Sequence, residues 1–337
     1  MHLGALPPAF AGLESSDAQE AASFLELFTL DAGEPLMEQG EEDYTLAFLV
    51  QGAVSILDHG VRIGGAGARD MIGEVELFGQ VPRTATVVAS SPTQMQVLAY
   101  EAWVELCDRG NPAVFNIERH AHRRIGDRLR ALSEGIAERA TGVPMPAPPA
   151  SGLLDRLSGL FAGRSPTVDV AAALGRSPLF GGIDPAVIAQ IAPSFHAERV
   201  PARTEICRQG ELGERAFVLA EGEVDVVVAT GPDAIEPIAS LSAGATFGDA
   251  LLAQHAPRHV SCVAHTDSVL LSIDRIAYGA LFSSDDPVGS AFRQGMIRGL
   301  VAQLIASQAR FLELERAAAN QTERVLRGTP VSTVWRD

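Results

Sequence analysis

Gly73, Glu74 and Arg83 stand close together in the segment MIGEVELFGQVPRTATVVA, residues 71–89, and between them can hold a small anion. A glycine turn opens a short helical run, GEVELF, whose first amides lack partners inside the helix and whose dipole favours negative charge. A loop containing Pro82 follows, and Arg83 then leads into a β-prone run. An arginine presents a planar fork of donors that matches two phosphate oxygens. An ionised glutamate only accepts hydrogen bonds, so Glu74 suits a sugar hydroxyl. The bland alternative is a structural ion pair between Glu74 and Arg83 in a barrel that binds nothing.

The elements that must position these residues occur twice. Gln39-Gly40-Glu41 recurs as Gln209-Gly210-Glu211, and Gly52 recurs as Gly222, each at an offset of 170. Gly73 with Gly248, Pro82 with Pro257 and Arg83 with Arg258 are offset by 175, so the second copy carries five extra residues around ATGPDAIE, where a longer hairpin is tolerated. Within the first copy LELFTL, AFLV, AVSIL, TATVVA and MQVLAY alternate or run apolar over short lengths between turn-forming stretches. Many short strands predict a sandwich or barrel with Greek-key connections, used twice and surrounded by helices. A helix over 115–140 places Ile117, Ile125, Leu129, Leu132 and Ile136 on one face. The expected divisions are a first domain at 1–141, a proline-rich linker at 142–166 and a second domain at 167–337. LLDRLSGLFAGR, within that linker, reads as a short amphipathic helix that packs on its own domains, with docking on a partner or a membrane surface as the alternative.

GEVEL followed by PRTATVVA resembles the phosphate-binding cassette of the cyclic nucleotide-binding domain family, whose usual form is about FGE-[LIV]-[AG]-L, a loop, then R-[AST]-A. The spacing of Gly33, Gln39-Gly40-Glu41 and Gly52 is also similar to that family's preceding strands. The resemblance covers roughly residues 8–140 and 174–327, and it implies an α+β chain of two tandem jelly-roll-like β-barrels with flanking helices. It implies that Glu74 binds the ribose 2′-hydroxyl and Arg83 a phosphate oxygen, with the amides of Val75, Glu76 and Ala85 completing the cradle beside Gly73. Thr84 stands where a hydroxyl can touch the 2-amino group of a syn guanine, so cAMP and cGMP both stay open as ligand. Glu76 departs from the pattern, standing where the family has alanine or glycine. Facing inward it opposes a phosphate by roughly a kcal/mol or more; facing outward it contributes only its amide. The second cassette, FGDALLAQHAPRHVSCVA, keeps Gly248 and Arg258 but has Asp249 for glutamate, Leu251 at the small position, and His259 and Val260 after the arginine. Together the changes suggest a degenerate pocket: either a weaker site of Gly248, Asp249, Ala250, Arg258 and His259, its acid one methylene short, or a part with a structural or dimerising role.

Other features carry less. A net charge of −16 over 337 residues, with 47% hydrophobic and 20% charged, describes a folded chain without the basic footprint of a nucleic-acid binder. Cys107, Cys207 and Cys262 are far apart in sequence and suit a reducing cytoplasm, the expected location. MHLGALPPAF is unlike a secretory signal, and no apolar run reaches spanning length. His120 and His122 in ERHAHRR lie two apart and diverge on a helix, so they read as part of a solvated basic patch rather than as metal ligands. GGAG at 64–67 reads as a hairpin turn. No nucleophile–base constellation is visible, so no enzyme is expected.

In the stretch 291–326, Phe292, Met296, Leu300, Leu304, Phe311 and Leu314 form an apolar stripe for a lid over the second barrel or for a homodimer coiled coil. No winged-helix DNA reader is expected beyond that stretch, and residues 1–61 hold no Lys or Arg for a pseudosubstrate. The expected function is a cyclic nucleotide sensor or regulatory subunit that switches an unidentified effector protein, with no DNA partner and no membrane role. The rival is a scaffold that kept the barrels and lost the nucleotide.

Overall fold

Eight short runs in the first copy become strands: β1 (Leu25–Leu30), β2 (Pro35–Met37), β3 (Leu46–Gln51), β4 (Ala53–Asp58), β5 (Val61–Gly67), β6 (Met71–Ile72), β7 (Thr86–Ala89) and β8 (Thr93–Leu98). The computed structural model describes residues 6–140, 143–144, 168–231, 234–250, 252 and 256–328, with side chains through 318. The strands form two antiparallel sheets in the orders β1-β8-β3-β6 and β2-β7-β4-β5, a jelly-roll arrangement. Alternation puts Val87 and Ala89 of β7 inside, and Val87 joins Met37, Leu49 and Met95 in one core cluster. The β4–β5 turn lies at His59 and Gly60, not at 64–67. Both residues take positive φ, as a two-residue hairpin loop of this hand requires, whereas Gly64 to Gly67 pair within β5.

The second copy repeats the plan after a two-residue strand β9 (Val143–Pro144). Its strands are β10 (His196–Val200), β11 (Glu205–Cys207), β12 (Arg215–Glu221), β13 (Glu223–Gly231), β14 (Ala234–Ser242), β15 (Thr246–Phe247), β16 (Ser261–Ala264) and β17 (Ser268–Asp274). They pair as β10-β17-β12-β15 and β11-β16-β13-β14-β9, so the start of the linker adds an edge strand to the second domain. The longer β13–β14 hairpin takes up the inserted residues. The amphipathic segment expected at 153–164 lies outside the described residues.

Helices α1 (Ser15–Ser23), α2 (Glu74–Gly79), α3 (Tyr100–Asp108) and α4 (Ala113–Arg139) flank the first barrel. Helices α5 (Val170–Arg176), α6 (Pro185–Ile191), α7 (Arg275–Ser283) and α8 (Pro287–Gly328) flank the second. The apolar stripe of α8 is buried inside the chain. Phe292 and Met296 enter the second domain's core, while Ile297, Leu300, Val301 and Leu304 join the first domain's core with Ile117, Ile125 and Leu129 of α4. Phe311 and Leu314, at the far end of the stripe, are half-buried against the second barrel, so the stripe packs mainly within the chain.

Each long helix also lies on the other domain's cassette. A Cβ on Gly79, at the end of α2, would come within 2.7 Å of Val301 of α8, and one on Gly126 of α4 within 2.7 Å of the Ala250 carbonyl oxygen. Glycine at both contacts permits backbones to approach this closely. Buried polar bonds fix the arrangement. Arg293 of α8 donates to Glu118 of α4 at 2.7 Å, and Ser290 and Gln294 donate to the other oxygen of the same carboxylate. His122, expected in a solvated patch, is buried instead and bonds the Tyr278 hydroxyl of α7 at 3.0 Å. Divergence at i, i+2 is the reason the two histidines differ: His122 turns into the interface and His120 does not. Burial, then the neighbouring Arg123, pushes His122 down to about 3, so it is neutral there. No helix among the described residues is long and apolar enough to cross a membrane.

Candidate functional site

Gly73 begins the cassette with φ 96°, and a Cβ there would sit 2.3 Å from the Thr45 carbonyl oxygen. Both facts demand glycine. The turn aims α2 so that Glu74, Val75 and Glu76 all face inward and are buried. The Gln39-Gly40-Glu41 motif clasps the backbone of Arg83. Gly40 donates to the Arg83 carbonyl oxygen and Arg83 donates to that of Glu41, both at 2.8 Å. Gly210, Glu211 and Arg258 repeat this clasp at 2.8 and 2.9 Å. The repeated tripeptide therefore pins each cassette arginine in place.

A cavity of about 130 Å³ is lined by Gly73, Glu74, Val75, Glu76, Thr84 and Ala85 on one side and by Arg124 and Arg128 of α4 on another. Glu74, at 2% exposure, faces those two arginines, with Oε1 3.6 Å from Arg128 and 3.9 Å from Arg124. Arg124 also pairs with Asp70 at 2.5 Å. Glu74 and Arg83 do not pair with each other. Arg83, also 2% exposed, is not on the cavity wall. Its guanidinium donates to Asp43, to the Thr45 carbonyl oxygen at 2.9 Å and to Glu76 at 3.4 Å. Burial pushes the Asp43 carboxyl up, but the Thr45 hydroxyl and the Arg83 guanidinium outweigh it and hold the group below its ordinary value.

Glu76 faces inward, resolving the two orientations open in the sequence. Its Oε1 accepts from the Thr84 amide at 2.9 Å and from the Thr84 hydroxyl at 2.7 Å, while Oε2 faces Arg83. The carboxylate thus engages the arginine, an amide and a hydroxyl of the cassette together. Gln39 reaches the Thr84 carbonyl oxygen at 3.1 Å and Asp58 at 2.8 Å, and Gln308 of α8 donates to the same Asp58 at 2.7 Å.

The second cassette is tighter and differently charged. Gly248 has φ 82°, and a Cβ there would meet Arg258 at 2.7 Å. Arg258 donates to the carbonyl oxygens of Gly248 at 3.1 Å and Arg215 at 2.7 Å. Gly213 faces it where the first copy has Asp43. The local cavity is only about 30 Å³, lined by Ala250, Arg258 and His259 among others. Asp249 is fully buried, neither of its oxygens has a hydrogen-bond partner among the described residues, and burial pushes it up to about 7. Burial, then Arg130 and Arg258, pushes His259 down to about 4. Cys207 and Cys262, distant in sequence, face each other across β11 and β16.

Sequence reasoning missed Asp43, Thr45, Arg124 and Arg128. Arg124 and Arg128 were legible as an i, i+4 pair on one helical face, distinct from exposed Arg119 and Arg123. Asp43 gave no signal, because only the loop before β3 brings it to Arg83.

The cyclic nucleotide-binding domain family matches this chain twice, at residues 27–110 and 197–285, together more than half of it. A cyclic nucleotide-gated potassium channel of Mesorhizobium japonicum is 37% identical over 117 residues, covering 35% of this chain and 31% of the channel. A cAMP-dependent protein kinase regulatory subunit of Yarrowia lipolytica is 22% identical over 257 residues, covering 76% of this chain and 54% of the subunit. The chain thus spans from about a third to about half of these curated relatives. Among solved structures, the regulatory domain of Toxoplasma gondii PKA with cAMP is 18% identical, covering 82% of this chain and 88% of that one at a TM-score of 0.32. Thermus thermophilus catabolite activator protein is 28% identical, covering 43% of this chain and 63% of that one at a TM-score of 0.33.

Proposed function

This chain belongs to the cyclic nucleotide-binding domain family as a tandem regulatory module, and from that premise we propose that it is a sensor whose N-terminal site takes cAMP or cGMP. The observation that carries the reading is the cavity of about 130 Å³ between the first cassette and α4, against about 30 Å³ at the second. The ribose 2′-hydroxyl donates to Glu74, and the phosphate lies toward Thr84, Arg83 and the amides of Val75, Glu76 and Ala85. The cavity is below the roughly 300–1,000 Å³ of a typical small-molecule site. Entry therefore requires α4 to give way, and Arg128 and Arg124 release Glu74 to the sugar. Helix α4 carries that movement onward, since Gly126, Glu118 and His122 touch Ala250, Arg293 and Tyr278 of the second domain. A ligand shifts such an equilibrium only by its affinity difference between states, commonly about 1–3 kcal/mol. The output goes to an effector protein in the cytoplasm, and no catalytic step is assigned to this chain.

Calorimetry with cAMP and cGMP on the wild type and Arg83→Ala tests this. Saturable binding that disappears in the variant supports the sensor. One observation favours the scaffold reading instead: Arg83 is already engaged by Asp43 and Glu76. Absence of heat for either ligand, in wild type and in variants freed of Glu76, favours that scaffold.

A further inference from the structure

We propose that Glu76 is an internal anion that sets the charge selectivity of the first site, opposing an anionic ligand and leaving an uncharged ribonucleoside unopposed. This rests on the N-terminal site being a nucleotide site. Three donors that suit a phosphate, the Arg83 guanidinium, the Thr84 amide and the Thr84 hydroxyl, all point at one carboxylate. That carboxylate is 6% exposed and belongs to the cassette's own helix, so it is present at an effective concentration no free ligand matches. An incoming phosphate must displace it from its donors or lie beside it, like charge against like charge. A ligand that meets Glu74 through a ribose hydroxyl and carries no phosphate has neither cost.

The second cassette shows that the fold does not need an acid at this place. Arg258 is held in the same backbone clasp, with Gly210 donating to its carbonyl oxygen at 2.8 Å, and its guanidinium is satisfied by two carbonyl oxygens. Gly213 stands where Asp43 does, and His259 where Thr84 does. The two acids on Arg83 therefore exceed what its position requires. Together they neutralise a cation that would otherwise draw a phosphate.

The test is calorimetry of full-length wild type, Glu76→Ala and Glu76→Gln with cAMP and with adenosine. Glu76→Gln keeps an acceptor for Thr84, so it guards against a loss of folding in the alanine variant. Removing the carboxylate tightens cAMP binding by about tenfold or more, the factor that one charge-assisted hydrogen bond carries. Adenosine moves by less than about threefold, because it places only neutral hydroxyls, and no charge, among those donors. Equal shifts for both ligands, or unchanged cAMP affinity in both variants while wild type binds, overturn the role of Glu76 and leave the sensor reading intact. If no protein binds either ligand, the sensor reading fails and the proposal falls with it. If wild type ignores cAMP and the variants bind it, Glu76 is the reason for the silence.

Discussion

The first cassette sets two acids against its arginine, and the second sets none. Asp43 and Glu76 both engage Arg83, while Arg258 turns to the carbonyl oxygens of Gly248 and Arg215 and faces Gly213. The second cassette has an acid too, but Asp249 is buried with no hydrogen-bond partner among the described residues. Two copies of one backbone thus hold opposite solutions. In one, every charge has found a partner and a small cavity remains. In the other, the cation is satisfied by backbone, the carboxyl is stranded and the space has closed to about 30 Å³. A shared clasp and a shared glycine turn do not guarantee a shared site.

The contrast holds only while the two domains are locked together, so the largest effect comes from breaking that lock. Glu118 and Arg293 are both about 1% exposed or less, and removing one leaves the other charged and buried. Glu118→Ala is expected to cost about 3–5 kcal/mol in denaturant unfolding, with Arg293→Ala similar. A loss below about 1 kcal/mol would mean that water reaches this pair.

The opposite fates of the two cassette acids predict opposite signs on mutation. Folded Asp249 titrates near 7 against an ordinary 3.8, so the folded state holds the proton more tightly than the unfolded chain. Its contribution is fully present below about 4 and is lost as the pH climbs through about 7. Asp249→Asn therefore stabilises at pH 8, by up to about 4 kcal/mol, since each tenfold change in proton affinity is worth about 1.4 kcal/mol. The gain should shrink toward pH 5 when melting curves of the two proteins are subtracted. Glu76→Gln has the reverse sign: losing charge-assisted bonds to Arg83 and Thr84 costs about 1–3 kcal/mol in the ligand-free protein. Stabilisation by Glu76→Gln would dissolve the contrast.

Two smaller perturbations sharpen the cross-packing. Gly126→Ala puts a methyl 2.7 Å from the Ala250 carbonyl oxygen and should cost about 1–3 kcal/mol, read as a lower Tm. Gln308→Ala removes one buried bond from α8 to Asp58 and should cost about 1 kcal/mol. Hydrogen exchange should then rise at Gln39 and Thr84, which share the Asp58 network, before it rises elsewhere in the first barrel.

Much of the fold is legible in the sequence because its signals are local. Short alternating runs such as Thr86–Ala89 report a strand with one buried face, and the repeat of Gln39-Gly40-Glu41 reports a second copy of the same barrel. Gly73 and Gly248 report turns that only glycine can make. The candidate site is legible as a set of residue types, and less so as a geometry. Residue chemistry offers Glu74 as a partner for Arg83 or for a sugar, yet it faces Arg124 and Arg128, residues of a helix that follows two more strands. The stripe from Phe292 to Leu304 suits a lid or a dimer seam equally, because periodicity shows that a face is apolar and not what covers it. The same blindness hides His122, whose partner Tyr278 lies in the other domain.

Local patterning and the internal repeat by themselves determined the short strands used twice and the helices around them, since each depends on neighbours a few positions away, while the residues of both cassettes were legible through a family resemblance. Only the tertiary structure decided which charges meet. It turned Glu76 toward Arg83 and Thr84, brought Asp43 to Arg83 and gave Asp249 no partner among the described residues, because Coulombic partners are chosen by distance in space and by the water excluded between them.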